Sequence, residues 1–208
     1  MRFRLKILFA FSLGLFLITI SNYSTKAEEE KVRAKIGIQI KSGDRILRAK
    51  SIDRLKRGDF LRIYVNPEKT SHVYVIHTDL KKVTLLNMDQ QKTQNSTMVM
   101  PSLQEYYQVD GKSSKETITI IISPNELSEL FRVFEDENMP YAKWIEHEKR
   151  LIDKSKIDLG QKIEKPFSIA GNVRGVAGNN DIDSFVNKLQ IFSGKSILVK
   201  KYEFKVKR

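Results

Sequence analysis

The chain of 208 residues contains no cysteine, only five prolines and a single tryptophan. Without cysteine there is no disulfide, so the fold depends on packing and hydrogen bonding alone. Zinc sites built on thiolates are excluded for the same reason, and so is a lipid anchor attached through a cysteine. The 40% of hydrophobic and 30% of charged residues are ordinary for a globular protein, and the length suits one domain with its own core.

The N-terminal segment has the order of a secretory signal peptide. Basic residues precede a 14-residue apolar run at 7–20, and small residues lead to Ala27. The run is shorter than the roughly 20 residues that span a bilayer, so cleavage after Ala27 is favoured over a retained anchor. We therefore predict an exported, periplasmic or extracellular protein with no stable membrane anchor. Its signal peptide is residues 1–27, and residues 28–208 form a single β-rich domain.

The charge of the chain is strongly positive. The whole sequence has a formal net charge of +12, and residues 1–27 contain four basic and no acidic residues. In the mature chain the 33 remaining basic residues exceed the 25 acidic ones by eight. Because no motif interleaves aromatic and basic residues, nucleic acid is not expected as a partner. A solvated basic surface is favoured over attraction to an anionic envelope surface.

Alternation of apolar and polar residues dominates the mature chain. In "VRAKIGIQIK" the apolar residues from Val32 to Ile40 fall on one side, and "SILVKKYEFKV" alternates again near the end. Further candidate strands are "FLRIYVNP", "HVYVIHTD", "KVTLLN", "EYYQV" and "ETITIIIS". Short alternating runs separated by turn signals are typical of sandwiches and barrels. The predicted fold class is mainly β, with an antiparallel, β-sandwich-like arrangement.

Three helices are predicted beside the strands, at about 124–137, 141–156 and 182–192, the first two within a helical insertion at about 124–160. "SPNE" has the pattern of a capping box with Ser123 as N-cap. Apolar residues around Trp144 recur at helical spacing, and Asp181 or Asp183 is a candidate cap for the third helix. The apolar stripe on the second helix predicts packing on the domain's own core, with a partner-binding groove as the alternative.

Two of the three histidines lie in one candidate strand. His72 and His77 are five residues apart, so on a strand they point to opposite faces and cannot share a metal ion. Asp79 shares a face with His77, which allows a base and its orienting carboxylate at the end of the strand. No serine or cysteine stands at a recognised spacing from them. We interpret the stretch as a core strand and keep His77 and Asp79 as weak catalytic candidates.

One incomplete pattern resembles a metal site. Asn179, Asp181 and Asp183 occupy the first three ligand positions of a calcium loop, but the turn glycine is absent and Gln190 stands at position twelve. They remain weak metal candidates, and no cofactor is predicted. The nearby "SGKS" lacks the first glycine of a phosphate-binding loop, where Leu189 stands instead.

Four stretches together resemble the bacterial family named domain of unknown function 4384: "SGDRILRAK", "LKRGDFLRIYVNPEKTSHVYVIHTDLKKVTLLN", "MVMPSLQEYYQVDG" and "ETITIIIS". The resemblance covers about 36–133, with Ser196–Val206 as a candidate closing strand. Here the hairpin "DLKKV" has no glycine, and Asn87 follows leucine where the family usually has proline. The resemblance implies a domain found beside enzymes or alone behind an export signal. It implies a fold and not an activity, because the family has no established chemistry.

Two functional classes remain open. The first is an exported, non-catalytic module that binds an envelope protein or a small ligand, favoured because no catalytic constellation is complete. The alternative is an uncharacterised hydrolase that uses His77 and Asp79. A binding surface is predicted first in the polar connection Asn87–Met100, and next in the helical insertion, where Trp144 would mark a contact point if exposed and core if buried.

Overall fold

The computed structural model describes residues 31–88, 92–93, 96–135, 139–156 and 185–207. The predicted signal peptide lies outside these ranges, so its cleavage stays a prediction. In chain order the strands are β1 (Val32–Ser42), β2 (Arg45–Arg48), β3 (Ile52–Lys56), β4 (Phe60–Pro67), β5 (Ser71–Thr78), β6 (Val83–Leu85), β7 (Lys92–Thr93), β8 (Met98–Met100), β9 (Tyr107–Gln108), β10 (Lys115–Ser123), β11 (Gln190–Gly194) and β12 (Leu198–Lys207). The helices are α1 (Ser128–Glu135) and α2 (Tyr141–Ser155).

The strands form two sheets of six strands each within the described ranges. Sheet A has the order β11-β1-β4-β8, with β2 beside β1 and β9 beside β4. Sheet B has the order β3-β12-β10-β5-β6, with β7 beside β5. The pairings are antiparallel except for β3, which runs parallel to β12. The predicted mainly β, sandwich-like fold class is therefore confirmed.

The main core lies between the two sheets. In β1 the alternating residues predicted to share a face, such as Ile36 and Ile38, are fully buried there, and Ile120 of β10 belongs to the same cluster from the other sheet. The alternation predicted for β12 is confirmed in the same way, because Leu198 and Phe204 are buried in this core. A strand that buries every second side chain has only one register that keeps the apolar face inside.

Strand β5 is buried on both faces, as its nearly continuous apolar run predicts. Val73 and Val75 lie in the core between the sheets, whereas Tyr74 and Ile76 lie in a second cluster with α1 and α2 on the outer face of sheet B. Trp144 of α2 is in this second cluster and has no exposed surface. Tertiary packing thus assigns the only tryptophan to the core and not to a contact surface.

A polar network also joins α2 to sheet B. The Glu148 carboxylate accepts a hydrogen bond of 2.5 Å from the Thr119 hydroxyl and one of 2.6 Å from the Lys201 ammonium. The Glu148 side chain is 4% exposed and that of Lys201 is 28% exposed. A buried charge is tolerated when it is paired and hydrogen-bonded, and Glu148 satisfies both conditions.

The start predicted for the first helix is wrong. Ser123 is the last residue of β10 and pairs with His72 of β5, so it is not an N-cap, and α1 begins at Ser128. Local capping chemistry is outweighed here by the ladder hydrogen bonds of a central strand. The backbone N–H of Leu127 instead donates to the Tyr74 hydroxyl at 2.8 Å. The second helix agrees with its prediction, with Pro140 immediately before it.

The third predicted helix extends too far, because its last three residues belong to a strand. Residues 182–184 lie outside the described residues, Phe185 and Val186 are helical, and β11 begins at Gln190. The Phe185 ring packs 4.9 Å from the Tyr64 ring on the outer face of sheet A, and β11 then pairs with β1. The predicted connection Asn87–Met100 likewise contains strand residues in β7 and β8. No helix within the described ranges is long and apolar enough to cross a membrane.

Candidate functional site

The three histidines do not gather at one place. His77 lies on the face of β5 that points between the sheets, with Val73 and Val75, and lines a cleft there. His72 is on the opposite face, with Tyr74 and Ile76. On α2, the Nδ1 atom of His147 is 3.4 Å from the Arg150 guanidinium. The alternation of β5 therefore separates the first two, and the third is on another element.

A cleft of about 190 Å³ lies where the two sheets separate, and we call it the inter-sheet cleft. It is bounded by β4 and β9 of sheet A, and by β5 and β10 of sheet B. Its apolar lining consists of Leu61, Ile63, Leu86, Tyr107, Val109 and Ile118. Its polar lining consists of His77, Asp79, Gln108, Asp110, Ser113 and Glu116. The cleft is thus the end of the hydrophobic core, rimmed by polar groups.

Glu116 is the main site residue that the sequence analysis missed. It stands at the start of β10, on the same face as Ile118, and its Oε2 atom is 3.6 Å from Nε2 of His77. The side chains of His77 and Glu116 are 30% and 12% exposed. Alternation in "ETITIIIS" already puts Glu116 on the face of the buried isoleucines. Its meeting with His77 depends on the register between β5 and β10, in which Ile118 is opposite His77.

Asp79 holds a turn. Its Oδ1 atom accepts hydrogen bonds from the backbone N–H groups of Lys81 at 3.0 Å and Lys82 at 2.7 Å. Burial raises the pKa of Asp79, but these two bonds and the nearby His77 outweigh burial, so the pKa lies below its ordinary value. Leu80 adopts a φ of 72° in this turn, the conformation that glycine adopts most easily. Asp79 lines the cleft near His77 while its carboxylate closes the hairpin.

Ser113 is the serine in the lining of the cleft, and its hydroxyl group points to backbone carbonyls. Its Oγ atom lies 2.9 Å from the carbonyl oxygen of Asp79 and 2.7 Å from that of Lys115, and these carbonyls accept its hydrogen. A serine nucleophile requires its hydroxyl to donate to the base. His77, Asp79 and Ser113 therefore share a cleft without forming a triad in this conformation.

The far wall of the cleft contains Tyr107 and Asp110. The Tyr107 ring packs against the core between the sheets, and burial raises the pKa of its phenol. Asp110 accepts a hydrogen bond from the Lys112 backbone at 2.8 Å, and its other oxygen lies 3.2 Å from the Lys112 ammonium. These bonds keep the pKa of Asp110 below its ordinary value. Asp110 is therefore paired at the mouth of the cleft.

The structure does not extend to the calcium candidates. Asn179, Asp181 and Asp183 lie outside the described residues, so that prediction stays open. Among the residues that the structure does describe, no three His, Asp or Glu side chains are arranged to hold a metal ion. Although His77 and Glu116 are adjacent, the described lining offers no third ligand in a suitable position.

Comparisons with family models, with curated proteins and with solved structures each found no match for this chain. The resemblance to domain of unknown function 4384 therefore stays a prediction. The function of the protein is therefore inferred from the cleft and its chemistry.

Proposed function

We propose that the protein is an exported, non-catalytic binding module whose ligand occupies the inter-sheet cleft. The observation that carries the proposal is an apolar floor between two sheets with polar groups converging on it, the usual composition of a binding site. Export is inferred from the N-terminal signal pattern. The ligand is a small molecule or a side chain of an envelope protein.

The size of the cleft supports a small group over an extended surface. An engineered cavity of about 150 Å³ binds benzene, so about 190 Å³ accommodates one ring with a short arm. The floor is preformed, since Ile63 and Ile118 are buried parts of the main core. Binding to such a site does not require the sandwich to open.

Capture of partners from envelope extract tests the proposal when it is combined with a variant that blocks the cleft. Leu86 is partly buried beside the core and lines the cleft, and Leu86→Phe extends a larger side chain into it. Ile145→Phe is the control, because Ile145 is on α2 and 38% exposed. Partners or ligands retained by the unsubstituted protein and by Ile145→Phe, but lost by Leu86→Phe, support the proposal. Retention that is equal in all three contradicts it.

Location is tested separately. Cells are fractionated, and the N-terminus of the recovered protein is sequenced. A protein that begins at Glu28 in the periplasmic or extracellular fraction supports export with cleavage. A protein that retains residues 1–27 in the membrane fraction contradicts the predicted cleavage and favours an anchor.

The hydrolase alternative is favoured by one observation, the presence of His77 and Ser113 in the same cleft. It requires the Ser113 hydroxyl to leave its backbone acceptors and donate to His77. Hydrolysis of small esters that is abolished by both His77→Ala and Ser113→Ala, in variants that remain folded, would establish it. Activity absent from the unsubstituted protein, or unchanged in these variants, removes it.

A further inference from the structure

We infer that the inter-sheet cleft takes an organic cation, a primary ammonium or guanidinium group attached to a small apolar body. This inference rests on the proposed function and specifies its ligand.

The lining of the cleft has a charge opposite to that of the chain. The sequence contains 37 Lys and Arg residues against 25 Asp and Glu. Yet the lining contains three carboxylates, one histidine and neither lysine nor arginine. A cleft that has low-dielectric walls and is lined by negative carboxylates raises the local concentration of cations. An anionic ligand would meet repulsion from the same groups.

Within the described part of the chain, Glu116 is the cleft carboxylate whose side chain makes no hydrogen bond to the protein, although His77 lies within ion-pair distance of it. The backbone N–H groups of Lys81 and Lys82 bind Asp79, and Lys112 is paired with Asp110. The polar contact of Glu116 within the described part of the chain is His77 at 3.6 Å, which is longer than a hydrogen bond. A carboxylate with 12% of its side chain exposed has lost most of its water, so it is stabilised by a donor that a ligand supplies. Charge-assisted N–H bonds to a carboxylate are the strongest that such a ligand can offer.

The rest of the cleft fits an apolar body joined to that cation. Leu61 and Ile118 form a buried floor beside Glu116. Tyr107 provides an aromatic wall, and ring faces attract ammonium and guanidinium groups. A fully inorganic cation would leave the floor in contact with water, and the described lining does not provide a metal site. In an arylalkylamine, the aryl group packs on the apolar floor and against Tyr107, and the ammonium group donates to the Glu116 carboxylate.

Three probes of nearly equal shape test the inference: phenethylamine as the cation, 2-phenylethanol as the neutral analogue and 3-phenylpropionate as the anion. Binding is measured by calorimetry and by NMR shifts of the His77 and Tyr107 rings. We expect phenethylamine to bind at least tenfold more tightly than either analogue. Equal or tighter binding of 2-phenylethanol or 3-phenylpropionate overturns the inference.

Variants assign the effect to Glu116. Glu116→Gln is expected to weaken phenethylamine binding at least tenfold and to leave 2-phenylethanol unchanged, whereas Glu116→Asp retains the preference for the cation. Glu126→Gln is the control, because Glu126 is exposed beyond the opposite end of β10. Unchanged phenethylamine binding in a folded Glu116→Gln overturns the inference. Should that variant fail to fold, the ranking of the three probes on the unsubstituted protein decides.

The two proposals fail differently. If the neutral or anionic probe binds best, and Leu86→Phe abolishes that binding, the charge of the ligand is wrong and the binding module stands. If none of the probes binds, the cation inference falls. The binding module falls as well if partner capture is also unaffected by Leu86→Phe.

Discussion

The buried pair of Glu148 and Lys201 gives the sharpest stability prediction, because its two members are buried to different extents. Lys201→Met removes the counter-ion of a carboxylate that is 4% exposed. Glu148→Gln removes the nearer counter-ion of an ammonium that is 28% exposed and still has Glu203 at 3.8 Å. Lysine can turn its long side chain towards water, and Glu148 cannot. We therefore expect Lys201→Met to be the more destabilising change.

The magnitudes follow from this asymmetry. Removing one partner of a buried ion pair costs about 3–5 kcal/mol, and we expect Lys201→Met to lower the free energy of unfolding by about 3 kcal/mol. Glu148→Gln keeps an oxygen for the Thr119 hydroxyl, so its cost is about 1–2 kcal/mol, close to one hydrogen bond to a charged group. The double variant should resemble Glu148→Gln alone, which gives a coupling of about 3 kcal/mol, the full cost of Lys201→Met.

Urea unfolding of the purified protein, followed by tryptophan fluorescence and by far-ultraviolet circular dichroism, measures these values. Coincident transitions establish that the unfolding is two-state. Lys149→Met and Glu129→Gln are matched controls at exposed positions of α2 and α1, and each should change the stability by less than about 0.5 kcal/mol. A Lys201→Met variant that is no less stable than Glu148→Gln would refute the reasoning.

Three further predictions concern a turn, the tryptophan and the acid limb of stability. Leu80→Gly should stabilise the protein by about 0.5–1 kcal/mol in urea unfolding, because Leu80 has a φ of 72°, and a gain of the same size in Leu80→Ala would contradict this. Trp144 has no exposed surface, so acrylamide should quench its emission far less in the folded than in the unfolded protein, and equal quenching would place it on the surface. The Lys115 side chain, which donates to Glu203, lowers the pKa of Glu203 from 4.5, so this stabilisation is present above pH 4.5 and is lost as the pH falls through the folded-state pKa. Glu203→Gln should therefore flatten the fall in melting temperature below about pH 4.5, and an unchanged acid limb would be evidence against that role.

The residues of the candidate site show how far local patterns reach. Alternation correctly put His72 and His77 on opposite faces, because side chains on a strand alternate whatever the strand packs against. It also put Glu116 on the face of the buried isoleucines. It did not bring Glu116 to His77, since they are 39 positions apart and meet only through the register of two paired strands. Ser113 is similar, because one of its two backbone acceptors, the carbonyl of Asp79, lies 34 positions away along the chain.

The errors in the helices have the same origin. "SPNE" by itself is a good capping signal, but Ser123 is part of β10 and pairs with β5. Residues 190–192 were predicted to continue the third helix, but they pair with the edge of β1 as part of β11. In both places a long-range hydrogen-bonded partner outweighs a local preference, which is worth about 1 kcal/mol.

The amino-acid sequence alone determined the mainly β character, the faces of β1, β5 and β12, and the absence of disulfides, because these follow from composition and from a period of two residues. Tertiary structure alone decided that Trp144 is core, that Glu148 is buried against Lys201, and that His77 and Glu116 meet at an apolar cleft. Each of these depends on which segments, far apart in the sequence, pack together. Local patterns of residues do not specify that packing.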